Sequence, residues 1–262
     1  MSKICPLFSG STGNSTYIEG ATGAVLADVG MSCKAVTDAL QYVGGDIEKI
    51  SAVVITHEHI DHIKGLKPFL NTARQAMLIS TAGTLEALEA AGKIPPHTKV
   101  LAIGEETLEA GGIGISRFET SHDAASPCGY CFFMPDGRKI SVCTDLGVMT
   151  DTVRGAVSGS DAVLIESNYD IDMLKKGPYP AELKMRIMSE CGHLSNNACA
   201  AELPELLKSG TTRFILGHLS NNNNPLLALS AAKNTLTEAG AAVGSDCILE
   251  VAAPKNNGVT VL

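Results

Sequence analysis

The chain has 262 residues and a formal net charge of −8. This balance argues against a broad basic face that coats nucleic acid, and the absence of Trp argues against an extended base-stacking platform. A chain of this length buries enough apolar surface to fold without disulfides, so its eight cysteines are expected to be the reduced thiols of a cytoplasmic protein. No apolar run is long enough to cross a bilayer, and no membrane partner is expected.

The chain begins with two predicted strands, residues 4–8 and 15–19, around a turn rich in Ser and Gly. The backbone N–H groups and polar side chains of such a turn can hold a phosphate, and the candidate side chains are Ser9, Ser11 and Asn14. The alternative is an ordinary hairpin turn, which is the commoner use of this type of sequence.

Residues 24–30 predict a further strand that ends in Asp28 and Gly30, and Ser32 is a suitable N-cap for a helix over residues 33–43. Asp28 has two interpretations. It is either one more turn carboxylate or an acceptor that orients a metal-binding imidazole through its N–H.

A dense polar cluster follows the buried strand predicted for residues 53–56. The cluster places three imidazoles and two carboxylates within six residues, which no packed core requires. Side chains at strand ends of α/β proteins commonly form active sites. We therefore interpret this segment as part of a metal centre, with His57, His59, Asp61 and His62 as candidate ligands.

Strands and helices alternate beyond this cluster, with a helix over residues 63–70, a strand over 77–80 and a helix over 85–90. From residue 100 the pattern predicts an antiparallel meander over residues 100–103, 113–120, 129–134 and 139–144. Two of these strands are followed by polar residues, His122 and Asp145. Cys128 and Cys131 have CxxC spacing, but the apolar segment around them favours a buried strand over a zinc or redox site.

The last third predicts a strand over residues 162–165, helices over 173–176 and 181–190, and then an internal repeat. Gly-His-Leu-Ser-Asn-Asn occurs at residues 192–197 and again at 217–222. The second copy follows a strand at 213–216, so His218 is another strand-end histidine, whereas His193 follows a helix and Ser195 caps the next one, 196–208. A helix over 226–239 and a final strand over 247–251 complete the chain. No linker interrupts it, which predicts a single domain over residues 1–262.

The candidate ligands are too many for one tetrahedral zinc ion. A set of seven suits two metal ions that share a carboxylate. The set consists of His57, His59, Asp61, His62, His122, Asp145 and His218.

The His-x-His-x-Asp-His motif, with the later His, Asp and His, resembles the metallo-β-lactamase fold superfamily. The Ser-Gly-Ser-Thr-Gly-Asn-Ser, Thr-Asp-Leu-Gly and Glu-Ser-Asn-Tyr-Asp segments are similar to the bacterial YycJ/WalJ-like group, regarded as nucleases or phosphodiesterases. The resemblance implies an α/β (α+β) fold, a four-layer αββα sandwich of two pseudo-symmetric halves. The β-CASP insert of the family's nucleic-acid-processing members is absent between Asp145 and His218.

The resemblance also implies how the metal ions are held. The first ion would be bound by His57, His59 and His122, and the second by Asp61, His62 and His218. Asp145 would bridge the two ions. Asp28 would contact a metal-binding histidine without binding a metal ion itself. The redox branch of the superfamily has Glu at the position of His59, so a hydrolase is favoured over a reductase.

These observations predict a dinuclear hydrolase with two divalent metal ions, zinc first and manganese or iron as alternatives. The expected activity is that of a phosphodiesterase or 5′-exonuclease on DNA or RNA, through a hydroxide that bridges the metals, with Asp61, Asp145 and His193 as catalytic residues. His193 would also contact substrate and protonate the leaving group, unless it only caps a helix. Hydrolysis of a small ester, thioester or lactam is the alternative and is favoured by the acidic surface, while a non-catalytic metal-stabilised scaffold fits least well.

Overall fold

The computed structural model describes residues 1–224, 227–255 and 257–262. The chain forms two compact units. Unit 1 contains residues 1–117, 124–138 and 253–262, and unit 2 contains residues 118–123 and 139–252. The expectation that the whole chain is one domain stays a prediction.

The strands are numbered in chain order. They are β1 (Lys3–Phe8), β2 (Ser15–Glu19), β3 (Ala24–Ala27), β4 (Ile50–Val54), β5 (Met77–Ser80), β6 (Val100–Ala102), β7 (Leu108–Ala110), β8 (Ile113–Glu119), β9 (Cys128–Phe133), β10 (Lys139–Cys143), β11 (Ala162–Glu166), β12 (Arg213–Gly217), β13 (Ile248–Val251) and β14 (Thr260–Val261).

The helices are numbered in the same way, and a short 3₁₀ helix covers Ile47–Lys49. They are α1 (Cys33–Tyr42), α2 (Ile60–Ile63), α3 (Leu66–Thr72), α4 (Ala82–Ala90), α5 (Asp151–Val157), α6 (Ile171–Lys176), α7 (Ala181–Ile187), α8 (Asn196–Lys208) and α9 (Leu227–Glu238). None of the helices in the described residues combines the length and the apolar character needed to cross a lipid bilayer.

Unit 1 is built on a mixed sheet with strand order β14-β1-β2-β3-β4-β5-β6. The strands from β14 to β3 pair antiparallel, and those from β3 to β6 pair parallel. Helices α1 and α3 cover it with side chains that are fully buried, among them Leu40 and Phe69. Each such side chain contributes about 1.5–3 kcal/mol through burial, so the sheet that carries the first polar cluster is rigidly supported.

Unit 1 also contains the hairpin of β7 and β8, which pair antiparallel with Ala110 opposite Ile113. The two turn residues, Gly111 and Gly112, have φ angles of 61° and 79°. A two-residue turn with both φ angles positive matches the twist of paired strands, and glycine adopts it without steric cost.

Unit 2 contains β10, β11, β12 and β13 in neighbouring positions, and all three pairings among them are parallel. Helices α8 and α9 pack closely on each other. Ser195 caps α8 by accepting a hydrogen bond from the Ala198 N–H, as the sequence predicts.

The parallel strands bring polar residues to one edge of each sheet. In unit 1, β3 ends before Asp28 and β4 ends shortly before His57. In unit 2, the ends of β10, β11 and β12 place Asp145, Glu166 and His218 side by side. The carboxyl ends of parallel strands are where α/β proteins bind ligands.

Several predicted elements differ from those observed. The strand expected over residues 53–56 is β4, which begins earlier at Ile50, and the helix expected over 63–70 is divided into α2 and α3. Residues 100–103 do not join an antiparallel meander, because β6 pairs parallel with β5 at the edge of the unit 1 sheet. The strand over 247–251 is not the last one, since β14 follows and pairs with β1.

Candidate metal centre

The unit 1 cluster consists of His57, His59, Asp61 and His62. The ring centroid of His57 lies 4.5 Å from that of His59 and 4.1 Å from that of His62. His57 and His62 are buried, and the Oδ2 atom of Asp61 lies 3.6 Å from the Nε2 atom of His62. The structure therefore brings together the four side chains that the motif supplies.

Asp28 fixes the orientation of the His62 ring. Its Oδ2 atom lies 2.8 Å from His62 Nδ1, and its Oδ1 atom accepts a 2.9 Å hydrogen bond from the Thr56 N–H. The Thr56 hydroxyl also lies 2.9 Å from Asp28 Oδ2. An ionised carboxylate only accepts hydrogen bonds, so the Nδ1 atom of His62 carries the proton and the lone pair of a neutral ring is on Nε2. The role of Asp28 in orienting a metal-binding histidine stays a prediction, to which this contact is suited.

The turn between β1 and β2 lies against this cluster. The Asn14 N–H donates to the Asp61 carbonyl at 2.8 Å, and the Asn14 amide nitrogen lies 3.0 Å from His62 Nε2. The Asn14 side-chain oxygen accepts from the Gly10 N–H at 2.9 Å. Ser9 is buried and Ser11 is exposed. A role of Ser9, Ser11 and Asn14 in phosphate binding stays a prediction, since Asn14 already uses both ends of its amide within unit 1.

The unit 2 cluster consists of Asp145, Glu166, His193 and His218. Each offers one ligand atom, and these atoms all lie within 4.8 Å of one another. The Oδ1 atom of Asp145 lies 3.5 Å from His218 Nε2 and 3.8 Å from the Nε2 atom of His122. Except for the partly exposed His193, all these side chains are buried.

Glu166 is shared by two histidines. Its Oε1 atom lies 2.8 Å from the Nδ1 atom of His193 and 2.8 Å from that of His218, and its Oε2 atom accepts from the Leu146 N–H at 2.9 Å. Burial alone would raise the pKa of Glu166, but His193 and His218 outweigh it and hold that pKa below its ordinary value. Glu166 is therefore ionised, and both Nδ1 atoms carry protons that they donate to it.

The protonation of His193 follows from the same carboxylate. Burial lowers the pKa of His193, but the attraction and hydrogen bond of Glu166 exceed this effect and raise the pKa above its ordinary value. A ring with a raised pKa keeps both nitrogens protonated to higher pH. His193 is thus suited to donate a proton from Nε2.

His122 is held in the opposite state. Burial lowers the pKa of His122, although the Asp145 carboxylate acts against this. Its Nδ1 atom lies 3.0 Å from the Gly192 carbonyl, so the proton of the neutral ring is on Nδ1 and the lone pair on Nε2. Neutral imidazole is the form that binds metals.

The two copies of the internal repeat lie on either side of the end of β11. The Asn168 N–H donates to the Leu194 carbonyl at 2.8 Å, and the Asn168 carbonyl accepts from the Ser220 N–H at 2.8 Å. Each copy thereby directs its histidine at Glu166. The repeat therefore serves to place two imidazoles on one buried carboxylate.

Three residues in or directly beside these clusters have a backbone conformation that L-amino acids seldom adopt. Asp28, Asp145 and His218 have φ angles of 65°, 57° and 52°, and they are the non-glycine residues with positive φ in the described part of the chain. Asp and His tolerate this left-handed region better than most residues. Such strain is typical of functional sites, where surrounding structure holds it in place.

The donor atoms of both clusters fit a divalent transition metal. Imidazole nitrogen and carboxylate oxygen are the ligands of catalytic zinc sites and of non-haem iron and manganese sites. In unit 2 the Asp145 carboxylate lies beside the Nε2 atoms of His218 and His122, and in unit 1 three imidazoles contact one another around His57. Both clusters are therefore suited to hold metal ions.

Glu166 and Thr56 are absent from the set of site residues predicted from the sequence. Glu166 follows the apolar run at residues 162–165 just as Asp145 follows β10, so the strand-end rule was sufficient to find it. Thr56 resembles a buried strand residue, and no pattern in the sequence indicates its contact with Asp28.

Comparisons with known proteins identify the family of the chain. Residues 25–219 match the family model described as the beta-lactamase superfamily domain. The exodeoxyribonuclease WalJ of Streptococcus pneumoniae is 38% identical over 93% of this chain and 91% of its own length. The exodeoxyribonuclease YycJ of Bacillus anthracis is 35% identical over 91% and 90%, respectively.

Among solved structures, the metallo-beta-lactamase fold protein YhfI from Bacillus subtilis covers 99% of each chain with a TM-score of 0.73 and 17% identity. Zn²⁺-bound PqqB from Methylobacterium extorquens covers 99% of this chain and 100% of its own, with a TM-score of 0.70 and 16% identity. These likenesses confirm the predicted fold class. The family match over most of its length and the two close sequence relatives show that this chain belongs to the β-lactamase superfamily and resembles its WalJ/YycJ members.

Proposed function

We propose that the chain is a metal-dependent exodeoxyribonuclease that hydrolyses the phosphodiester bonds of DNA from a 5′ end. The observation that carries this proposal is the buried Asp145 carboxylate beside the Nε2 atoms of His218 and His122, in a chain that is 38% identical to an exodeoxyribonuclease over nearly all its length. The enzyme is a metal-dependent hydrolase of its superfamily. The cytoplasmic location expected from the sequence belongs to this proposal.

The proposed ligand set is the one that the family resemblance implies. One divalent ion is assigned to His57, His59 and His122, and the other to Asp61, His62 and His218, with Asp145 shared. Zinc is the first choice because these donors are imidazoles and carboxylates, and manganese and iron are alternatives. When bound, such ions lower the pKa of water and neutralise charge on the phosphate.

The side chains of unit 2 supply the remaining chemistry. His193, with its raised pKa, donates a proton from Nε2 to the leaving oxygen of the cleaved strand. Glu166 is its positioning residue, because the 2.8 Å contact with Nδ1 fixes the ring and favours its protonated form. The same carboxylate orients His218 for metal binding.

The test is a substrate panel with purified protein and Zn²⁺ or Mn²⁺. We expect 5′-phosphorylated DNA to be shortened, and RNA, a lactone, a thioester and a β-lactam to react more slowly. Asp145→Asn should abolish the activity, whereas Asp151→Asn, a change at an exposed aspartate of the same unit, should leave it unchanged. Intact DNA with rapid opening of the lactone or thioester would support the small-molecule alternative instead.

A further inference from the structure

We propose that Arg186 binds a phosphate of the DNA strand beside the metal centre and is held ready for it by Asp123. This inference rests on the proposed function and names a substrate-binding residue for it. The guanidinium Nε atom of Arg186 donates to Asp123 Oδ2 at 2.6 Å. The other oxygen of the same carboxylate lies 3.5 Å from His122 Nε2. One carboxylate therefore separates the guanidinium from an imidazole of the proposed ligand set.

The backbone that carries Arg186 is fixed against the metal centre. Arg186 lies on α7, a helix without a buried residue, yet the segment that follows is closely packed. The His193 N–H donates to the Ile187 carbonyl at 2.9 Å, and the Gly192 carbonyl in turn accepts from His122. A Cβ atom on Gly192 would collide with the carbonyls of Arg186 and Ile187. The end of α7 is thus locked to the residues that position His122 and His193.

The Arg186 side chain itself is accessible. It is 55% exposed and Asp123 is 36% exposed. An ion pair in such surroundings contributes about 0–1 kcal/mol, so little free energy opposes an exchange of partner. A phosphate offers the guanidinium fork two or more oxygens, which matches the bidentate geometry that guanidinium groups favour. The incoming phosphate would therefore displace Asp123.

The charge of the protein makes this contact valuable. At a net charge of −8 the surface as a whole repels DNA, and a guanidinium beside the metal ligands gives local attraction where the strand must bind. Neutral esters and lactams gain nothing from it. The contact would therefore raise affinity for phosphodiesters without regard to base sequence, since phosphate contacts position a strand but do not read it.

A simpler interpretation is that the Arg186–Asp123 pair only ties α7 to the loop after β8. The two interpretations predict different effects of Asp123→Asn on DNA binding. If the pair is structural, removal of either partner should have the same effect. If Arg186 binds phosphate, its removal should weaken DNA binding, whereas Asp123→Asn should release the guanidinium and leave binding equal or tighter.

The experiment compares Arg186→Gln, Arg186→Lys and Asp123→Asn with wild type. Arg154→Gln is the matched control, because Arg154 is also a half-exposed arginine of unit 2 in ion pairs with carboxylates. The first readout is binding of a fluorescent, cleavage-resistant phosphorothioate single-stranded DNA with a 5′ phosphate to the metal-loaded protein as a function of salt. The second is kcat and KM for the same strand without phosphorothioates with Mn²⁺, with metal content measured for every variant.

For Arg186→Gln we expect weaker binding and a KM raised about tenfold or more, as for loss of a charge-assisted hydrogen bond, with kcat within about twofold. The slope of log K against log salt should fall in magnitude by about 0.7, the value for one phosphate contact on a single strand. Arg186→Lys should keep the slope and recover part of the affinity. Arg154→Gln should match wild type.

An unchanged slope and KM in Arg186→Gln would overturn the inference, and so would an equal loss of affinity in Asp123→Asn with full metal content. Failure of the proposed function has a different signature. In that case wild type would bind the strand without cleaving it, and the salt slope would still decide the role of Arg186.

Discussion

Glu166 is the residue on which the unit 2 cluster depends. It is completely buried, accepts hydrogen bonds from two imidazoles through one oxygen, and receives a backbone N–H on the other. A buried carboxylate is stable only when it is fully paired. Glu166 therefore fixes the orientation of both the His218 and the His193 rings, which the proposed function uses for metal binding and for proton donation.

Replacement of this carboxylate by its amide tests this role. Glu166→Gln keeps the volume but removes the charge. Its amide NH₂ group must face either the two imidazole Nδ1–H groups or the Leu146 N–H, so donors meet donors on one side and the fixed orientation of the rings is lost. We expect metal affinity or turnover to fall about 10- to 100-fold, as for other partners of metal-binding histidines. Isothermal titration with Zn²⁺ and steady-state kinetics would measure both. The control is Glu202→Gln, which removes a carboxylate paired with Arg154 in the same unit and should change neither.

His193 is expected to act on turnover rather than on metal binding. His193→Ala should lower kcat by roughly 10²- to 10⁴-fold, the usual contribution of a positioned acid, while both metal ions remain bound. His97→Ala is the control, because His97 belongs to neither cluster and to no proposed metal site. Its ring nitrogen Nε2 lies 3.2 Å from the Leu70 carbonyl. Loss of one metal ion per chain from His193→Ala would show that His193 is a ligand and not the acid.

The sequence predicted most of the residues that the structure brings together, because strand-end polar residues follow a local pattern. His57, His62, His122, Asp145 and His218 were found in this way. Thr56 and Asp123 could not be found, since their partners lie 28 residues and 63 residues away in the chain. Hydrogen bonds of this kind depend on tertiary contacts that no periodicity records.

At the scale of elements, the tight crossing of two turns in unit 1 supports the first cluster. The Gly30 N–H donates to the Asn14 carbonyl at 2.7 Å, and the Val29 N–H donates to the His62 carbonyl at 2.8 Å. A Cβ atom on Gly30 would overlap the Asp61 carbonyl and the Asn14 nitrogen. These backbone contacts therefore hold the turn after β3 directly against both the turn after β1 and helix α2.

Gly30→Ala should separate these turns. We expect a loss of at least about 2 kcal/mol in the free energy of unfolding, because backbone atoms cannot yield as a side chain would, together with weaker metal binding. Gly155→Ala is the matched control: Gly155 lies in α5 with open space around its missing Cβ, and alanine there should stabilise the helix by about 0.5–1 kcal/mol. Urea denaturation of both variants gives the comparison, and equal stabilities would contradict it.

Pairing between strands limited how much of the fold the sequence could predict. Most strands and helices were placed within a few residues, and α8 with its Ser195 cap was placed at its observed bounds. The short β7 was missed because Leu-Glu-Ala carries little strand propensity. The position of β6 beside β5 was missed because the choice of partner strand is not encoded in local alternation.

At the scale of the whole molecule, the cysteines divide by burial. All eight are free thiols, and burial raises the pKa of Cys5, Cys128 and Cys199 to about 12. Cys191 is exposed. Because only the thiolate reacts with alkylating reagents, the fold should protect the buried thiols well into alkaline solution.

The rate of alkylation of each cysteine should depend on whether its thiol is buried or exposed. At about pH 9, iodoacetamide should modify Cys191 rapidly in the native protein, whereas Cys5, Cys128 and Cys199 should react only after denaturation. Peptide mapping by mass spectrometry identifies the labelled positions, and Cys191→Ser removes the fast site. Rapid native labelling of Cys128 would show that β9 is not packed as described.

The left-handed backbone of Asp28, Asp145 and His218 has a practical consequence for capturing the enzyme with its substrate. Asparagine tolerates that conformation as well as aspartate does, so Asp145→Asn should keep the turn after β10 while it removes the negative charge that the proposed bridging role requires. Alanine at the same position would add backbone strain to the chemical loss. The asparagine variant is therefore the one to choose for crystallising a stalled complex with uncut DNA.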